Sequence, residues 1–510
     1  MIGLSAGVVM SSEQQIIHPE ARIVNEQSGV GSLLSGNDIL VSDMEEYEFY
    51  SDMVSSATEY FLVVEYYSPS TTINVFRSSD GGNSWWHYAG FTGGDYKIMT
   101  PALAVPEVDE DYLYIIYEYA NQIQVARIDL GTGAIDYYNV EANSNGVHHP
   151  RITTDNICYP GNPWLYVTYS SYDGSTFNVK AARSVDDAET WVLYHILQRD
   201  GAYIQYPDIS FGNYNLYLAS DSLHYTGEWE VRVRRSTDLG FSWEPYQNLT
   251  TVSTNACIYP RVAASQSTGT VVVAYEDYEI GVNEDVYYAY STDGGVNWNG
   301  NNCLACTSEN NEGWPDITID PSYGDFHATY RFNDWVDTFN SMYSHAAQST
   351  PWSWSAPEAV NDVPYAYNDY QRPVAVDWAS GGAGIAWIDT RTETQAVFFD
   401  RVDFVTPYPL QIGIYPYNGT VFHPGDYIYY GVYLINHSPY PVQTSAAVYA
   451  SNNALWRLNL FGPFNFNMPA DTMYGPLIRY AQVPWGVPPM TAYICAEANE
   501  VHDCYQVTIE

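Results

Sequence analysis

Charged side chains recur directly after a proline in strand-like segments that are spaced along the first 400 residues. At four of these positions the charge alternates, with Arg151, Asp208, Arg261 and Asp316 in succession. Guanidinium groups around one opening could bind a carboxylate through paired hydrogen bonds, and Arg372, next to the proline of a later segment, could join Arg151 and Arg261. The same alternation could form a chain of ion pairs that only stabilises the fold. Both interpretations stay open at this point.

Aromatic and acidic residues accompany these positions. Tyr259 and Trp314 stand before two of the prolines, and Trp335 lies in the acidic stretch RFNDWVDTFN. Such rings could stack on sugars, and the carboxylates of this stretch and of YEDYEIGVNED could hold Ca²⁺. Neither stretch has the spacing of a calcium-binding loop. We therefore assign no metal ligands and no certain cofactor, with Ca²⁺ kept as an option.

An octapeptide recurs along the same region, as SSDGGNSW, SVDDAETW, STDLGFSW and STDGGVNW. Its spacing of about 53 residues, or twice that, is typical of one propeller blade. At that period seven units appear, each with strands rich in β-branched and aromatic residues, such as FLVVEYY and TVVVAYED. Seven such units are predicted to close into an all-β, seven-bladed β-propeller over residues 43–404, because radial closure leaves no exposed sheet edge. The last unit lacks a fourth strand, which the N-terminal segment 1–42 is predicted to supply through residues 20–26.

The octapeptide has features of a structural turn. Its aspartate can accept backbone hydrogen bonds, its glycine allows positive φ, and its tryptophan can anchor the turn in the core. We predict that these turns lie on the face opposite the charged positions and do no chemistry. The residues concerned are Asp80, Gly82, Trp85, Asp186, Trp191, Asp238, Gly240, Trp243, Asp293, Gly295 and Trp298.

The octapeptide S-x-D-x-G-x-[ST]-W resembles the Asp-box, or BNR repeat, of sialidase-type propellers. Sialidases bind the substrate carboxylate through an arginine triad, so the resemblance implies that role for Arg151, Arg261 and Arg372. The R-I-P segment, the Tyr–Glu nucleophile pair and the catalytic aspartate of sialidases have no secure match here. The expected function is non-catalytic binding or assembly, with glycans or other copies of the chain as partners. A secreted sialidase-like glycoside hydrolase with its site in the funnel is the alternative.

The spacing of strand-like segments changes after Pro407. Residues 405–510 carry F-x-P-G-D and L-x-N-x-S, and they resemble the immunoglobulin-like β-sandwiches of secreted adhesion modules. Two cysteine pairs could form local disulfides, Cys303 with Cys306 and Cys495 with Cys504.

Charge and hydropathy limit the partners and the cellular location that we expect for the protein. A formal net charge of -42, from 60 acidic and 18 basic residues, excludes nucleic acid as a partner. No apolar run approaches the roughly 20 residues needed to span a bilayer. Residues 1–10 are apolar and could be the remnant of an export signal. We expect an extracellular or cell-surface protein that could form a homo-oligomer or a surface assembly.

Overall fold

The computed structural model describes most of the chain. The described residues are 6–8, 32–34, 38–42, 47–56, 59–67, 71–92, 98–106, 111–155, 164–197, 204–223, 229–250, 256–266, 268–279, 283–306, 310–320, 324–333, 339–362, 373–379, 382–389, 395–404, 410–416, 421–436, 442–451, 457–468, 472–498 and 501–510. Within them every regular element is a β-strand, and no helix is long and apolar enough to cross a membrane.

The chain divides into two compact units. One comprises residues 33–403, and the other combines residues 1–32 with residues 404–510. The sequence interpretation set its boundaries at residues 42/43 and 404/405. The N-terminal segment is therefore shared between the units, with its division at residue 32.

Among the described residues, three short strands come first: β1 (Ala6–Val8), β2 (Ser32–Leu34) and β3 (Ile39–Ser42). The next 24 strands form six antiparallel sheets of four, each built from consecutive strands. The first sheet contains β4 (Tyr47–Ser55), β5 (Tyr60–Tyr67), β6 (Thr71–Ser78) and β7 (Trp86–Thr92). The second contains β8 (Ile98–Ala104), β9 (Tyr112–Tyr119), β10 (Gln122–Asp129) and β11 (Ile135–Ala142). The third contains β12 (Val147–Thr154), β13 (Leu165–Tyr172), β14 (Phe177–Ser184) and β15 (Val192–Leu197). The fourth sheet contains β16 (Ile204–Gly212), β17 (Asn215–Leu223), β18 (Trp229–Ser236) and β19 (Gln247–Asn248). The fifth contains β20 (Ala256–Ala264), β21 (Val271–Glu279), β22 (Asn283–Ser291) and β23 (Asn299–Ala305). The sixth contains β24 (Asn311–Ile319), β25 (Phe326–Asn333), β26 (Phe339–Ala346) and β27 (Glu358–Ala359).

A further sheet joins the two ends of this unit. It contains β28 (Pro373–Ala379), β29 (Gly382–Asp389) and β30 (Ala396–Phe404), and both β2 and β3 pair with β30. The sequence interpretation gave this closing role to residues 20–26, which lie outside the described residues. The N-terminal strands observed on β30 come later in the chain.

The first strands of these sheets form a cycle. Each contacts the first strand of the next sheet, from β4 through β8, β12, β16, β20, β24 and β28, and β28 contacts β4. Hydrophobic clusters fill the space between neighbouring sheets; in one of them Phe61 and Val63 of β5 pack with Leu113 and Ile115 of β9. Second strands such as β5 are covered on both faces, which explains why they are continuous apolar runs. Four-stranded antiparallel sheets arranged in this way fit a β-propeller.

The octapeptide turns share one hydrogen-bond pattern. In the first, Asp80 accepts hydrogen bonds from the Ser84 amide and the Ser78 hydroxyl at 2.9 Å, and the Trp85 indole donates to the Gly82 carbonyl at 3.0 Å. The turns at Asp186 and Asp293 repeat all three contacts. The turn at Asp238 repeats the two aspartate contacts, but the Trp243 indole has no acceptor among the described residues.

The close packing of neighbouring sheets also requires glycine in two of these turns. Gly82 has φ 90° and lies against the Phe399 ring of the preceding sheet, where a Cβ would stand 2.0 Å from the ring. Gly295, with φ 80°, lies in the same way against Tyr217. A side chain at either position would clash as well as strain the backbone.

The other unit consists of two sheets with one shared core. Its remaining strands are β31 (Leu410–Pro416), β32 (Val421–Phe422), β33 (Tyr427–Asn436), β34 (Val442–Ser451), β35 (Arg457–Met468), β36 (Thr472–Gln482), β37 (Met490–Ala498) and β38 (Val501–Ile509). The strand orders are β1-β36-β33-β31 and β32-β38-β37-β34-β35, and a single hydrophobic cluster contains residues of both sheets.

Three of the four predicted disulfide cysteines are seen in disulfides. Cys303 and Cys306 are joined at the end of β23. Cys495 is disulfide-bonded, and the strand register sets Cys504 directly opposite it.

Candidate functional site

Five first strands contain the same irregularity beside a proline. Pairing with the second strand slips by one residue there, at β8, β12, β16, β20 and β24. The residue before the proline has a positive φ in every case, although none is a glycine: Thr100 (50°), His149 (55°), Tyr206 (45°), Tyr259 (54°) and Trp314 (54°). A left-handed conformation in a residue with a side chain costs free energy, so surrounding contacts must hold these bulges in place.

Buried carboxylates supply those contacts. At four of the five bulges, a carboxylate on the second strand of the preceding sheet accepts a hydrogen bond from the amide of the left-handed residue. The pairs are Thr100 with Glu65 (2.9 Å), His149 with Glu118 (2.7 Å), Tyr259 with Asp221 (3.4 Å) and Trp314 with Glu276 (3.0 Å). Each bond also joins two sheets, so the bulges are fixed relative to one another.

The bulges present a continuous set of aromatic side chains. Ring centroids are 4.2 Å apart between His149 and Tyr206, 4.5 Å between Tyr206 and Tyr259, and 4.1 Å between Tyr259 and Trp314. All four rings are partly exposed. We call these four residues the aromatic collar.

Charged side chains follow two residues after the collar residues on β12, β16, β20 and β24, and Asp52 on β4 joins them. The charged ring comprises Asp52, Arg151, Asp208, Arg261 and Asp316. Arg151 Nε lies 3.9 Å from Asp208 Oδ1, and Arg261 Nε lies 3.6 Å from Asp316 Oδ1. Both pairs connect neighbouring sheets, so the charged ring contributes to the joining of the sheets as well as to the surface at their centre.

Two aspartates of the ring also bond to the backbone of the following sheet. Asp52 Oδ2 accepts a hydrogen bond from the Leu103 amide at 2.9 Å, and Asp208 Oδ2 accepts one from the Val262 amide at 2.8 Å. These carboxylates therefore repeat, at the charged ring, the contact between sheets that the collar carboxylates make.

A cavity of about 240 Å³ adjoins the charged ring. It extends along the first strands between the sheets, past Thr153, Ser210 and Thr318. On β12, β16, β20 and β24 the order along the chain is therefore collar residue, charged residue and then further residues that line the cavity.

Burial perturbs the charges of the ring. It raises the pKa of Asp316 to about 6, although the Arg261 guanidinium opposes the change. Burial also raises the pKa of Asp52, against the effect of Arg151. Burial and the neighbouring Arg151 together lower the pKa of Arg261 to about 10. The ring therefore contains carboxyl groups that take up protons more readily than exposed aspartates do.

The structure brings together six of the eight predicted ligand-binding residues. Arg151, Asp208, Arg261 and Asp316 lie in the charged ring, and Tyr259 and Trp314 lie in the collar. Arg372 and Trp335 are outside the described residues.

Sequence reasoning missed Asp52 as a member of the site, and it missed the collar residues His149 and Tyr206. The signal for the collar was available, since HP, YP, YP and WP occur at equivalent places in four segments.

The acidic loops give no metal site in the part of the chain that is described. No three His, Cys, Asp or Glu side chains of the described residues converge as ligands. Glu284, one of the loop carboxylates, forms an ion pair with Arg331 at 2.6 Å.

No protein-family model matches the chain, and no curated protein matches it at a significant level. Among solved structures, a protein of unknown function from Dyadobacter fermentans is 10% identical with a TM-score of 0.45, over 74% of this chain and 100% of that one. The β-propeller domain of the Trilobed protease from Pyrococcus furiosus is 8% identical with a TM-score of 0.41, over 71% and 100%. The leech intramolecular trans-sialidase is 11% identical with a TM-score of 0.38, over 72% and 69%. Likenesses this distant indicate neither an activity nor a substrate.

Proposed function

We propose that this protein binds glycans outside the cell or at its surface, through the central mouth of a seven-bladed Asp-box propeller. The cyclic contacts between first strands and the shared turn geometry support the propeller. The two-sheet unit with one core supports an immunoglobulin-like module that spaces or docks the propeller.

The aromatic collar is the observation that carries the proposal. Sugar rings bind proteins by placing their C–H faces on aromatic side chains while polar groups fix their orientation. The collar offers four partly exposed rings, held by their own backbone bulges. The charged ring behind it offers hydrogen-bond donors and acceptors for hydroxyl groups. One mouth therefore combines both kinds of contact.

The size of the cavity favours a small occupant. Ligand sites usually enclose about 300–1,000 Å³. The cavity here is about 240 Å³. It suits the terminal unit of a glycan more than an internal stretch of a polymer, whose two ends would both have to leave the mouth.

The pairing of the two ring arginines with aspartates favours binding without catalysis. Arg151 and Arg261 each face an aspartate of the next sheet, so neither guanidinium is reserved for a ligand carboxylate. The aspartates are in turn bonded to backbone amides or arginines. Such a network is suited to rigidity, which a binding mouth needs.

Binding should be tested by isothermal titration against a panel of terminal mono- and oligosaccharides. Tyr259→Ala and Trp314→Ala should each weaken binding at least about tenfold, because each removes a stacking surface. Trp352→Ala is the matched control, since that tryptophan is 53% exposed and is not part of the collar. Equal affinity in the collar variants and the wild type, or no binding to any glycan, would contradict the proposal.

A glycoside hydrolase is the second candidate, and the raised pKa of Asp316 favours it. A carboxyl group that keeps its proton to about pH 6 could act as a general acid, with a second carboxyl group of the same ring as its partner. The test is release of reducing sugar from the glycan that binds. Loss of that release in Asp316→Asn, with binding retained, would establish hydrolysis; no release by the wild type would exclude it for that glycan.

A further inference from the structure

We infer that the group anchored at this mouth is a cation, namely the protonated amine of an amino sugar, and not a carboxylate. The inference rests on the proposed function and names the class of glycan. It follows from the charges that face the cavity and from how each of them is already engaged.

The charges at the cavity do not cancel. Among the described residues that line it, the charged side chains are the three aspartates and two arginines of the charged ring. When all five are ionised, the lining is negative by one charge. A carboxylate entering this cavity would meet a net repulsion, whereas an ammonium group would meet a net attraction.

Among the described residues, both arginines of the charged ring form ion pairs, whereas one of its aspartates does not. Arg151 and Arg261 each lie within 4 Å of an aspartate, and Arg261 also donates to the Pro260 carbonyl at 3.1 Å. Asp52 accepts one backbone hydrogen bond through Oδ2, and within the described residues it has no ion-pair partner. Asp52 is also partly exposed. Its second oxygen is therefore the acceptor best placed for an incoming ammonium group.

The collar and the charged ring lie close together on the strands that carry both. On β12, β16, β20 and β24 the collar residue and the charged residue are two positions apart, and two residues of an extended strand span at most about 7 Å. Asp52 lies on β4 and lines the same cavity as the other four charged residues. We infer that a sugar lying on the collar holds its amine within reach of that cavity. Tyrosine and tryptophan faces themselves attract cations, which favours an ammonium group on the way in. The formal charge of -42 further raises the local concentration of cations.

The direct test compares three oligosaccharides of equal length by isothermal titration at about 0.15 M salt and at a slightly acidic pH, where the glucosamine amines are protonated. They are a glucosamine oligomer, its fully N-acetylated counterpart and a uronic acid oligomer. We expect the glucosamine oligomer to bind at least about tenfold more tightly than either of the others, since only it gains an ionic hydrogen bond. Equal or tighter binding of the acetylated or the uronic acid oligomer would overturn the inference.

Variants locate the effect. Asp52→Asn keeps an acceptor for the Leu103 amide, and it should weaken glucosamine binding about tenfold to a hundredfold while leaving the acetylated oligomer unchanged. Arg151→Gln should strengthen glucosamine binding, because it removes a positive charge from the lining. Glu189→Gln is the control, since it makes the same charge change as Asp52→Asn at a side chain that is 62% exposed in an octapeptide turn. An equal loss in Asp52→Asn and Glu189→Gln would assign the effect to the overall charge and overturn the site.

The outcomes separate this inference from the proposed function. If the collar variants Tyr259→Ala and Trp314→Ala lose binding of a neutral or acidic glycan, the mouth binds glycans and only the cation is wrong. If none of the three oligomers binds and no other glycan binds, the proposed function itself fails. A gain of affinity in Arg151→Gln would support the cation even if Asp52→Asn proved too unstable to purify.

Discussion

Single side chains of the octapeptide turns contribute to the stability of the folded state. Burial acts to raise the pKa of Asp80, but hydrogen bonds from Ser84 and Ser78 outweigh it, so the pKa is lower than usual. The lowered value means that the ionised carboxylate stabilises the folded state above pH 4 and that this contribution is lost on acidification. The tryptophan of the same turn packs between sheets, so charge and packing act together.

Trp298 allows the packing contribution to be measured. It lies against the cluster formed by the sheets of β17 and β21. Trp298→Ala should lower the free energy of unfolding by about 3 kcal/mol in a urea titration, because it leaves a cavity in this cluster. Trp352→Ala, at a tryptophan 53% exposed, should change it by less than about 0.5 kcal/mol. Similar losses in both variants would mean that Trp298 does not anchor its turn.

Asp316 predicts a pH dependence of the opposite sign to that of the octapeptide aspartates. Its pKa of about 6 when folded is above its ordinary value, so the folded state keeps a proton that the unfolded state releases. This contribution is complete below about pH 4 and is lost as the pH rises through 6.

The variant Asp316→Asn should therefore remove part of the decrease in unfolding free energy between pH 4 and pH 7. We expect a difference in slope worth on the order of 1–3 kcal/mol in urea titrations across that range. Asp136→Asn, at a carboxylate 61% exposed, should follow the wild-type slope. A wild-type slope in Asp316→Asn would show that Asp316 has an ordinary pKa.

The bulged first strands are the elements on which the candidate site depends. Four of the five place an aromatic ring by means of a backbone conformation that glycine usually adopts. At four of the five, a carboxylate of the preceding sheet makes the compensating hydrogen bond. The collar is thus a property of pairs of neighbouring sheets and not of any one strand.

Glu276 tests the coupling of bulge and carboxylate. Glu276→Ala removes the acceptor of the Trp314 amide and should lower the unfolding free energy by about 1–3 kcal/mol. If the mouth binds glycans as proposed, the variant should also weaken that binding, because the Trp314 ring loses its fixed position. Glu276→Gln keeps an acceptor oxygen and should retain most of both properties. If the alanine and glutamine variants behave alike, the carboxylate does not hold the bulge.

Much of the framework could be predicted from the sequence, because its signals are local. The octapeptide contains its own acceptor, glycine and anchor, and runs such as FLVVEYY indicate covered strands. The bulges that carry the collar depend instead on a positive φ before a proline, where an extended conformation is the ordinary expectation. The residues with this conformation are Thr100, His149, Tyr206, Tyr259 and Trp314. Their acceptors lie on another sheet, so no local pattern links Glu276 to Trp314.

At the scale of the whole molecule, the formal charge of -42 opposes compactness. Like charges repel across the folded surface, and ions screen that repulsion within about 10 Å at 0.1 M salt.

Raising sodium chloride from about 0.01 M to 0.5 M should therefore raise the thermal unfolding midpoint by several degrees. Potassium chloride should act alike, since screening depends on ionic strength. A midpoint that falls with both salts would mean that the ion pairs between sheets outweigh the surface repulsion.

Strand β3 has a consequence for how the chain is made. Its partner β30 is synthesised more than 350 residues after it. At about 5–20 residues per second, β3 must wait on the order of 20–70 s before it can pair. Until β30 is made, the growing chain therefore lacks the pairing between β3 and β30. A polypeptide truncated before β30 cannot form this pairing at all.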